Sequence, residues 1–262
     1  PHLAERPLVV TRYPSGAAGK WFYQKNAPEG TPAWINTYPW YSSHSDRHIN
    51  FIICDNLATM VWLANQACIE LHPGMSRIGS LERPDFVVFD LDPSEGATYE
   101  DVCDVAEVLR EVLNHLQLRF FLKTSGATGL HVFVPIRNTY TYDQLRDFVR
   151  RIAEMVASLI PQKATVVRKV KDREGKVYVD YLQNIQGKTV CSAYSLRPRP
   201  GAPVSTPITW EELRQAKPAD YNLETVPPRL KRRGDLFAAV NTRPQAIEPA
   251  WRKLNANIKL PG

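Results

Sequence analysis

The sequence predicts an α+β fold in which a mixed β-sheet flanked by helices is joined to a smaller N-terminal αβ module. Short apolar and β-branched runs typical of strands recur along the chain, and longer segments with helical spacing lie between them. The 262 residues, 44% of them hydrophobic, suffice for one large domain or two small modules with substantial cores. We expect a single domain, with a module of about residues 1–80 packed on a core of about 81–240 and a tail at 241–262.

Each element is predicted from local signals. Alternating or β-branched runs predict strands near residues 8–12, 20–25, 36–42, 48–54 and 86–92, a hairpin at 119–135, and strands near 164–169, 177–183 and 189–194. Helical spacing predicts helices at about 55–69, 98–115 and 141–160, with N-caps at Asp55 or Asn56, Thr98 and Thr141. A proline-rich stretch at 198–207 precedes a short helix from Thr209 and a last one from Pro227 to about Val240.

Two aspartates, Asp90 and Asp92, end the apolar run that begins at Phe86. Side chains alternate along a strand, so the two carboxylates share one face with Phe86 and Val88. Neighbouring carboxylates repel each other unless a cation lies between them. The pattern favours a divalent metal site at the C-terminal end of the strand. The alternative is that one aspartate caps the next turn and the other is solvated.

The hairpin that follows carries a cation, a hydroxyl and an imidazole. With Ala127 to Gly129 as a three-residue loop, Gly129 takes the left-handed position and Ser125 lies opposite His131. Lys123 shares this face, whereas a four-residue loop would separate Ser125 from His131. Beside a bound metal, such a patch would hold a polyphosphate. The alternative is an ordinary hairpin with a solvated lysine and a hydrogen-bonded histidine.

A third acid, Asp180, interrupts the apolar strand that starts near Val177. An acid in such a strand is unfavourable without a partner. Three strand acids with a phosphate cradle describe two-metal nucleotidyl transfer, in which two ions about 3.5–4 Å apart clamp the attacking and leaving oxygens.

Taken in order, these motifs resemble the archaeo-eukaryotic primase superfamily, and most closely the polymerase domain of bacterial ligase D in non-homologous end joining. The resemblance covers about Arg6 to Val240. It is carried by Glu70-Leu-His72-Pro, Phe89-Asp-Leu-Asp-Pro93, Lys123-Thr-Ser-Gly126 to His131, Val179-Asp-Tyr-Leu-Gln-Asn184, Ala193-Tyr-Ser-Leu-Arg197-Pro-Arg199 and Thr209-Trp-Glu-Glu-Leu213. It implies a primase-polymerase fold with a catalytic β-sheet.

The resemblance also implies residue roles. It makes Asp90, Asp92 and Asp180 the metal-binding catalytic residues, and it assigns contacts with the incoming nucleotide to His72, Lys123, Ser125, His131, Arg197 and Arg199. It assigns contacts with DNA to Lys25 and to the basic loop residues Lys169, Lys171 and Arg173. The aromatic pair Phe22 and Tyr23 would stack on template bases. Core packing is the alternative for the aromatic pair, since adjacent strand residues face opposite ways and one of them should be buried.

The implied function is template-directed addition of nucleotides to DNA 3′ ends, filling gaps during double-strand break repair and favouring ribonucleotides. The implied cofactors are two divalent ions, with Mn²⁺ preferred, although three carboxylates also accept Mg²⁺. The implied partners are gapped or broken DNA, NTP or dNTP, a DNA ligase and Ku. Two alternatives stay open: a primase that starts chains without a primer, and an end-bridging module with secondary catalysis.

One departure concerns the N-terminus. Family members have about forty residues before the Arg6–Arg12 strand, with lysines that hold a 5′-phosphate across a gap. This chain starts at Pro1, so either it is cut short or this member lacks the segment. Neither a ligase nor a nuclease signature is present in the sequence.

Composition adds weaker constraints. The net charge of +6 is uneven: residues 1–160 hold 14 Lys and Arg against 18 Asp and Glu, whereas residues 161–262 hold 19 against 9. The basic half suits a phosphate track, with solvated surface as the alternative. The cysteines lack metal or disulfide spacing, and Cys68 and Cys103 fall in helical patterns as buried thiols. His44 and His48 are four residues apart and could share a metal ion on a helix, but the serines around them favour a loop. With neither an apolar span nor a signal peptide, we expect a cytoplasmic, nucleoid-associated protein.

Overall fold

The computed structural model describes residues 1–42 and 46–256. The first of its two β-sheets is built from the strands β1 (Pro7–Arg12), β2 (Phe22–Gln24), β3 (Thr37–Ser42), β4 (Arg47–Ile53) and β5 (Cys68–Pro73). The order is β2-β1-β4-β3, and β5 pairs with β1. Helix α1 (Leu57–Asn65) covers one face of this sheet, where it buries Leu63 against Leu8 and Val10.

The second sheet has the strand order β11-β7-β8-β6-β10-β9. Its strands are β6 (Phe86–Pro93), β7 (Phe121–Thr124), β8 (Leu130–Pro135), β9 (Ala164–Thr165), β10 (Val177–Asp180) and β11 (Pro207–Ile208). The sheet is mixed, because β9 and β10 are parallel and the other neighbours are antiparallel. The remaining helices are α2 (Tyr99–His115), α3 (Tyr142–Leu159), α4 (Val226–Arg233), α5 (Ala238–Thr242) and α6 (Glu248–Asn255). The predicted α+β class is confirmed.

The two faces of the second sheet are used differently. Val87, Phe89 and Leu91 of β6 point into the largest core, where they pack with residues of α2 and α3. Phe86 and Val88 point to the opposite face and belong to a smaller cluster. The alternation inferred from the sequence is therefore correct, and it leaves Asp90 and Asp92 on the face that the two long helices do not cover.

The predicted helix over 55–69 is too long. It ends at Asn65, and Ala67 adopts the left-handed conformation with φ 56°. Cys68–Pro73 then forms β5, which pairs antiparallel with β1 from Leu8 to Arg12. Pairing along an open edge of β1 outweighs the helical spacing of a few apolar residues. Cys68 is consequently a half-buried strand residue, whereas Cys103 is buried in α2 as expected.

Other predicted elements are shorter or irregular. The strands predicted near 164–169 and 177–183 are shorter and form β9 and β10. Residues 189–194 form no strand: Thr189 makes an isolated bridge with Gly74, Ser192 N–H donates to Leu71 O, and residues 193–194 form a turn. The segment from Thr209 forms turns rather than a helix. The last predicted helix is divided into α4 and α5 at Gly234, whose φ is 69°. Strand β11 and helix α6 were not predicted.

No helix in the described residues is long and apolar enough to cross a membrane. His44 and the end of the predicted tail, residues 257–262, lie outside the described residues.

Candidate active site

The register of the β7–β8 hairpin places its polar side chains together. Lys123 pairs with His131, and Ser125 N–H donates to Gly129 O at 2.9 Å. The loop is therefore residues 126–128 rather than the predicted 127–129, and Gly126, with φ 74°, takes the left-handed position. The prediction that Ser125 lies opposite His131 is wrong, because Lys123 takes that place. The register differs from the prediction by two residues, so the prediction that Lys123 and His131 share a face still holds.

Gly129 serves close packing rather than turn formation. A Cβ atom there would lie 2.2 Å from Leu91 O in the strand that carries the aspartates. Gly129→Ala is expected to lower the free energy of unfolding by about 1–3 kcal/mol, since the two strands must separate. Gly74→Ala is the matched control, because its added Cβ would make ordinary contacts at 3.5 Å or more. Urea denaturation compares the two, and equal stabilities would contradict the predicted clash.

Four ionisable side chains form one row across the second sheet. Lys123 of β7 pairs with His131 of β8, His131 with Asp90 of β6, and Asp90 with Asp180 of β10. Residues directly opposite each other on neighbouring strands project from the same face. The row thus runs from two bases to two acids, and Asp92 extends the acidic end along β6.

Lys123 is fully buried and contacts His131. Its Nζ lies 2.8 Å from His131 Nδ1 and also donates to the Ser205 hydroxyl. Burial lowers the pKa of Lys123 to about 8, so the ammonium form predominates at pH 7. An ammonium can only donate, so His131 Nδ1 accepts and the ring proton lies on Nε2. That nitrogen is 3.3 Å from Asp90 Oδ1.

The pKa values of the three acids differ according to their neighbours. Although burial opposes it, His131 and Lys123 hold the pKa of Asp90 below its ordinary value. Burial and the negative charge of Asp90 raise the pKa of both Asp92 and Asp180. Asp180 Oδ1 also accepts hydrogen bonds from Tyr178 OH at 3.0 Å and Leu182 N–H at 2.8 Å. Crowded carboxylates of this kind suit a divalent cation.

The three carboxylates are not clustered tightly in this structure. Within residues 1–42 and 46–256, no three His, Cys, Asp or Glu side chains converge closely enough to hold a metal ion. The physical reason is that Asp90 turns toward His131, while Asp180 is held by Tyr178 and Leu182. The oxygen donors nevertheless have the chemistry that Mg²⁺ and Mn²⁺ prefer.

A cavity of about 530 Å³ opens beside the row. Its wall includes most of the residues that the sequence assigned to a nucleotide: His72, Ser125, His131, Arg197 and Arg199, with Asp90 and Asp92. Lys123 does not reach it, because it lies beneath His131. Ser125 Oγ accepts from Ala127 N–H and Gly129 N–H, both at 3.1 Å. It therefore shapes the loop and leaves its own hydroxyl proton for a ligand.

Glu70 is a buried acid at this site whose role was not predicted. Arg197 Nε lies 3.1 Å from Glu70 Oε1, and Tyr13 OH donates to Glu70 Oε2 at 3.0 Å. His72 Nε2 lies 3.9 Å from the same carboxylate. Glu70 thus connects the first sheet to Arg197. The alternation of Glu70 and His72 could have revealed this if residues 68–73 had been recognised as a strand.

The two residues of the aromatic pair, Phe22 and Tyr23, lie on opposite faces of β2. Phe22 and Tyr23 are both exposed, because β2 is a three-residue edge strand with neither face covered, so the expectation that one is buried is wrong. Tyr23 lines the cavity with Lys25, whereas Phe22 lies on the opposite face under the guanidinium of Arg12, 5.5 Å from its ring. Trp21, also exposed, contacts Tyr23 edge to face and was not predicted.

The three basic loop residues differ in their exposure and in their contacts. Lys169 and Lys171 are exposed, and Lys169 Nζ lies 3.6 Å from Asp172 Oδ2. Arg173 stacks on Tyr178, 3.9 Å from the ring centre, and donates to the carbonyls of Val167 and Arg168. Arg173 therefore holds the loop against β10, next to Asp180.

Asn184 supports the acidic strand from the side. Its amide oxygen accepts from Val88 N–H at 2.9 Å, and its amide nitrogen donates to Val88 O at 2.7 Å. Because β10 ends at Asp180, these bonds replace the missing strand partner of β6 two residues before Asp90. Buried backbone groups require such partners.

Comparison with known proteins identifies the family of this chain. A family model described as "LigD, primase-polymerase domain" matches residues 1–237. The chain belongs to this family. The primase-polymerase domain family and its primase-type nucleotidyltransferase class, which the motifs indicated, are thereby confirmed.

Individual relatives are similar over most of the chain. The bifunctional non-homologous end joining protein LigD of Bacillus subtilis is 32% identical over 94% of this chain, and the Pseudomonas aeruginosa LigD is 34% identical over 87%. The chain spans only 39% and 27% of those relatives. The polymerase domain of Mycobacterium tuberculosis ligase D in complex with DNA superposes with a TM-score of 0.84 at 31% identity, covering 93% of this chain and 87% of that one.

Proposed function

We propose that this domain adds nucleotides to DNA 3′ ends under the direction of a template, filling gaps during non-homologous end joining and favouring ribonucleotides. The row of Lys123, His131, Asp90 and Asp180 beside a cavity lined by Arg197 and Arg199 carries the proposal. Phosphoryl transfer needs positioning and charge neutralisation more than covalent chemistry, and this site offers both.

The position of each residue in the cavity suggests its role. Arg197, Arg199 and the Ser125 hydroxyl line the wall where a triphosphate would be neutralised and held in line. His131 presents its Nε2 proton beside Asp90, in an orientation fixed by buried Lys123. Tyr23 provides a flat surface at the cavity edge for a template base.

Asp90, Asp92 and Asp180 would hold the divalent ions, with Mn²⁺ as the proposed preference. Such ions lower the pKa of an attacking hydroxyl and stabilise the leaving pyrophosphate. The raised pKa values of Asp92 and Asp180 support this role, since a cation relieves their mutual repulsion. A DNA ligase and Ku are the proposed protein partners, because the LigD relatives are named as non-homologous end joining proteins.

Primer extension on gapped DNA tests the proposal, with Mn²⁺ or Mg²⁺ and with ribonucleotides or deoxyribonucleotides. Extension that requires the templated base, works better with Mn²⁺ and prefers ribonucleotides is the expected result. Dinucleotide synthesis without a primer would instead identify a primase. DNA binding without any extension would favour the end-bridging alternative.

The basic loop is expected to make DNA affinity depend on salt. Each phosphate contact contributes about −0.7 to the slope of log affinity against log salt for a single strand and about −0.9 for a duplex. Lys171→Gln should reduce the steepness by about that amount, and Lys169→Gln by less because Asp172 already pairs with Lys169. Arg137→Gln is the control, since Arg137 follows β8 at the opposite end from His131. Fluorescence anisotropy over a salt series measures the slopes, and an unchanged slope for Lys171→Gln would place that residue off the DNA.

A further inference from the structure

A second cavity adjoins the candidate active site and is larger than it. Its volume is about 890 Å³, against about 530 Å³ for the cavity beside the aspartates. The two cavities share Val9, Lys25 and the loop residues 187–189. A polymer that passes Lys25 on leaving the first cavity can therefore enter the second directly.

One face of the first sheet forms the floor of both cavities. Side chains alternate along each strand, and directly paired residues share a face. By this alternation, Val9 and His72 in the first cavity project from the same face as Trp40, Ile49 and Arg47 in the second. The floor is thus a continuous surface that extends from the candidate nucleotide site to the outer strand β3.

An aromatic ring lies on this floor. Trp40 is half-buried and packs on Phe51, with ring centroids 6.0 Å apart. Val9, Ile49 and Phe51 form a small apolar cluster beneath it, separate from the three larger clusters. The ring is therefore supported on one side and open to the cavity on the other.

Positive charge accompanies the ring. Lys25, Arg47 and Lys188 line the second cavity, are exposed, and form no ion pair with any residue in the described part of the chain. Two acids, Glu82 and Asp143, also line it, and Arg146 lies 3.0 Å from Asp143. The uncompensated charge along the floor is consequently positive.

We propose that the second cavity binds the unpaired template strand beyond the base that directs nucleotide addition. An aromatic platform with flanking cations is the chemistry that binds single-stranded nucleic acid, through base stacking and phosphate contacts. A duplex is a poor fit, since its stacked bases do not present their faces to Trp40. This inference rests on the proposed polymerase function and extends it to a specific part of the substrate.

The test compares two hairpin primer–templates that differ only in the template tail. One ends at the directing base, and the other continues for about eight unpaired nucleotides, within the usual range of single-strand sites. The ratio of their dissociation constants, measured by fluorescence anisotropy, gives the affinity gained from the tail. Trp40→Leu, which keeps apolar bulk over Phe51, should reduce this gain by about 5- to 150-fold. A tail of abasic sugars should make wild type and Trp40→Leu equal.

A second variant tests the charge independently of packing. Arg47→Gln changes an exposed residue and should lower the salt dependence of the tail's contribution by about 0.7 in slope. Trp34→Leu and Arg137→Gln are the matched controls, because Trp34 is 53% exposed and both residues lie outside the two cavities. Both controls should retain the wild-type gain.

The outcomes separate this inference from the function on which it rests. The inference is overturned if the wild-type protein gains no affinity from the tail. It is also overturned if the Trp40→Leu variant and the Arg47→Gln variant each keep the full wild-type gain. Equal weakening on both templates would mean that Trp40 contacts the duplex or a different ligand. Extension is measured on the same substrates: if wild type extends neither, the polymerase proposal fails, whatever the binding ratio shows.

Discussion

Asp92→Asn is expected to abolish nucleotide addition while the melting temperature stays equal or rises. Burial and the charge of Asp90 raise the pKa of Asp92. The ionised form of Asp92 is therefore less favourable in the folded protein than in the unfolded chain at pH 7, and a neutral amide removes this cost. Losing several kcal/mol of charge stabilisation at the reacting phosphate corresponds to a rate decrease of roughly 10³-fold.

Asp180→Asn and Asp90→Asn are both expected to abolish nucleotide addition, but they should change the melting temperature in different directions. Asp180→Asn should resemble Asp92→Asn, since an amide oxygen can still accept from Tyr178 OH and Leu182 N–H. Asp90→Asn should lower the melting temperature, because His131 and Lys123 favour the charged form of Asp90. The sign of the shift thus distinguishes Asp90 from its neighbours.

Three measurements check this set: single-turnover extension rates, thermal melting, and Mn²⁺ binding followed by electron paramagnetic resonance. Glu224→Gln removes an exposed acid that lines neither cavity and serves as the control. Extension within tenfold of wild type by Asp92→Asn would exclude Asp92 from the metal site. Unchanged Mn²⁺ binding in all three aspartate variants would contradict their assignment as ligands.

Much of the site was predictable because strand alternation is a local property. The shared face of Asp90 and Asp92 follows from their spacing, and the shared face of Lys123 and His131 is unchanged by a two-residue error in the predicted strand register. The pairing of Asp90 with Asp180 was not predictable in this way. It depends on the register of strands distant in sequence, which tertiary packing sets.

The missed elements have related causes. Residues 68–73 carry both helical and alternating patterns, and only the free edge of β1 decides between them. Without β5, the sequence could not bring Glu70 to Arg197. The burial of Lys123 was not predicted, and one of its hydrogen-bond partners, Ser205, lies in an irregular segment distant in sequence.

Arg197→Gln is expected to impair use of the incoming nucleotide, whereas Tyr23→Ala is expected to impair binding of the template. Arg197 lines the cavity wall near the aspartates, so its loss should weaken nucleotide use. One charge-assisted contact is worth about 1.5–3 kcal/mol, or roughly 10- to 150-fold in catalytic efficiency. Tyr23 lies at the cavity edge, where a stacked template base is worth about 1–3 kcal/mol. His131→Ala should follow Arg197→Gln.

Phe22→Ala provides the contrast that the structure makes possible. Phe22 neighbours Tyr23 in sequence but lies on the opposite face beneath Arg12, so its loss should weaken DNA binding less than Tyr23→Ala. Titration with labelled gapped DNA gives template affinity, and extension rate against nucleotide concentration gives nucleotide use. Normal DNA affinity with poor nucleotide affinity in Tyr23→Ala would mean that Tyr23 contacts the incoming nucleotide, in keeping with its ring lying 6.1 Å from that of His72. Equal losses in Phe22→Ala and Tyr23→Ala would mean that template stacking uses both faces of β2.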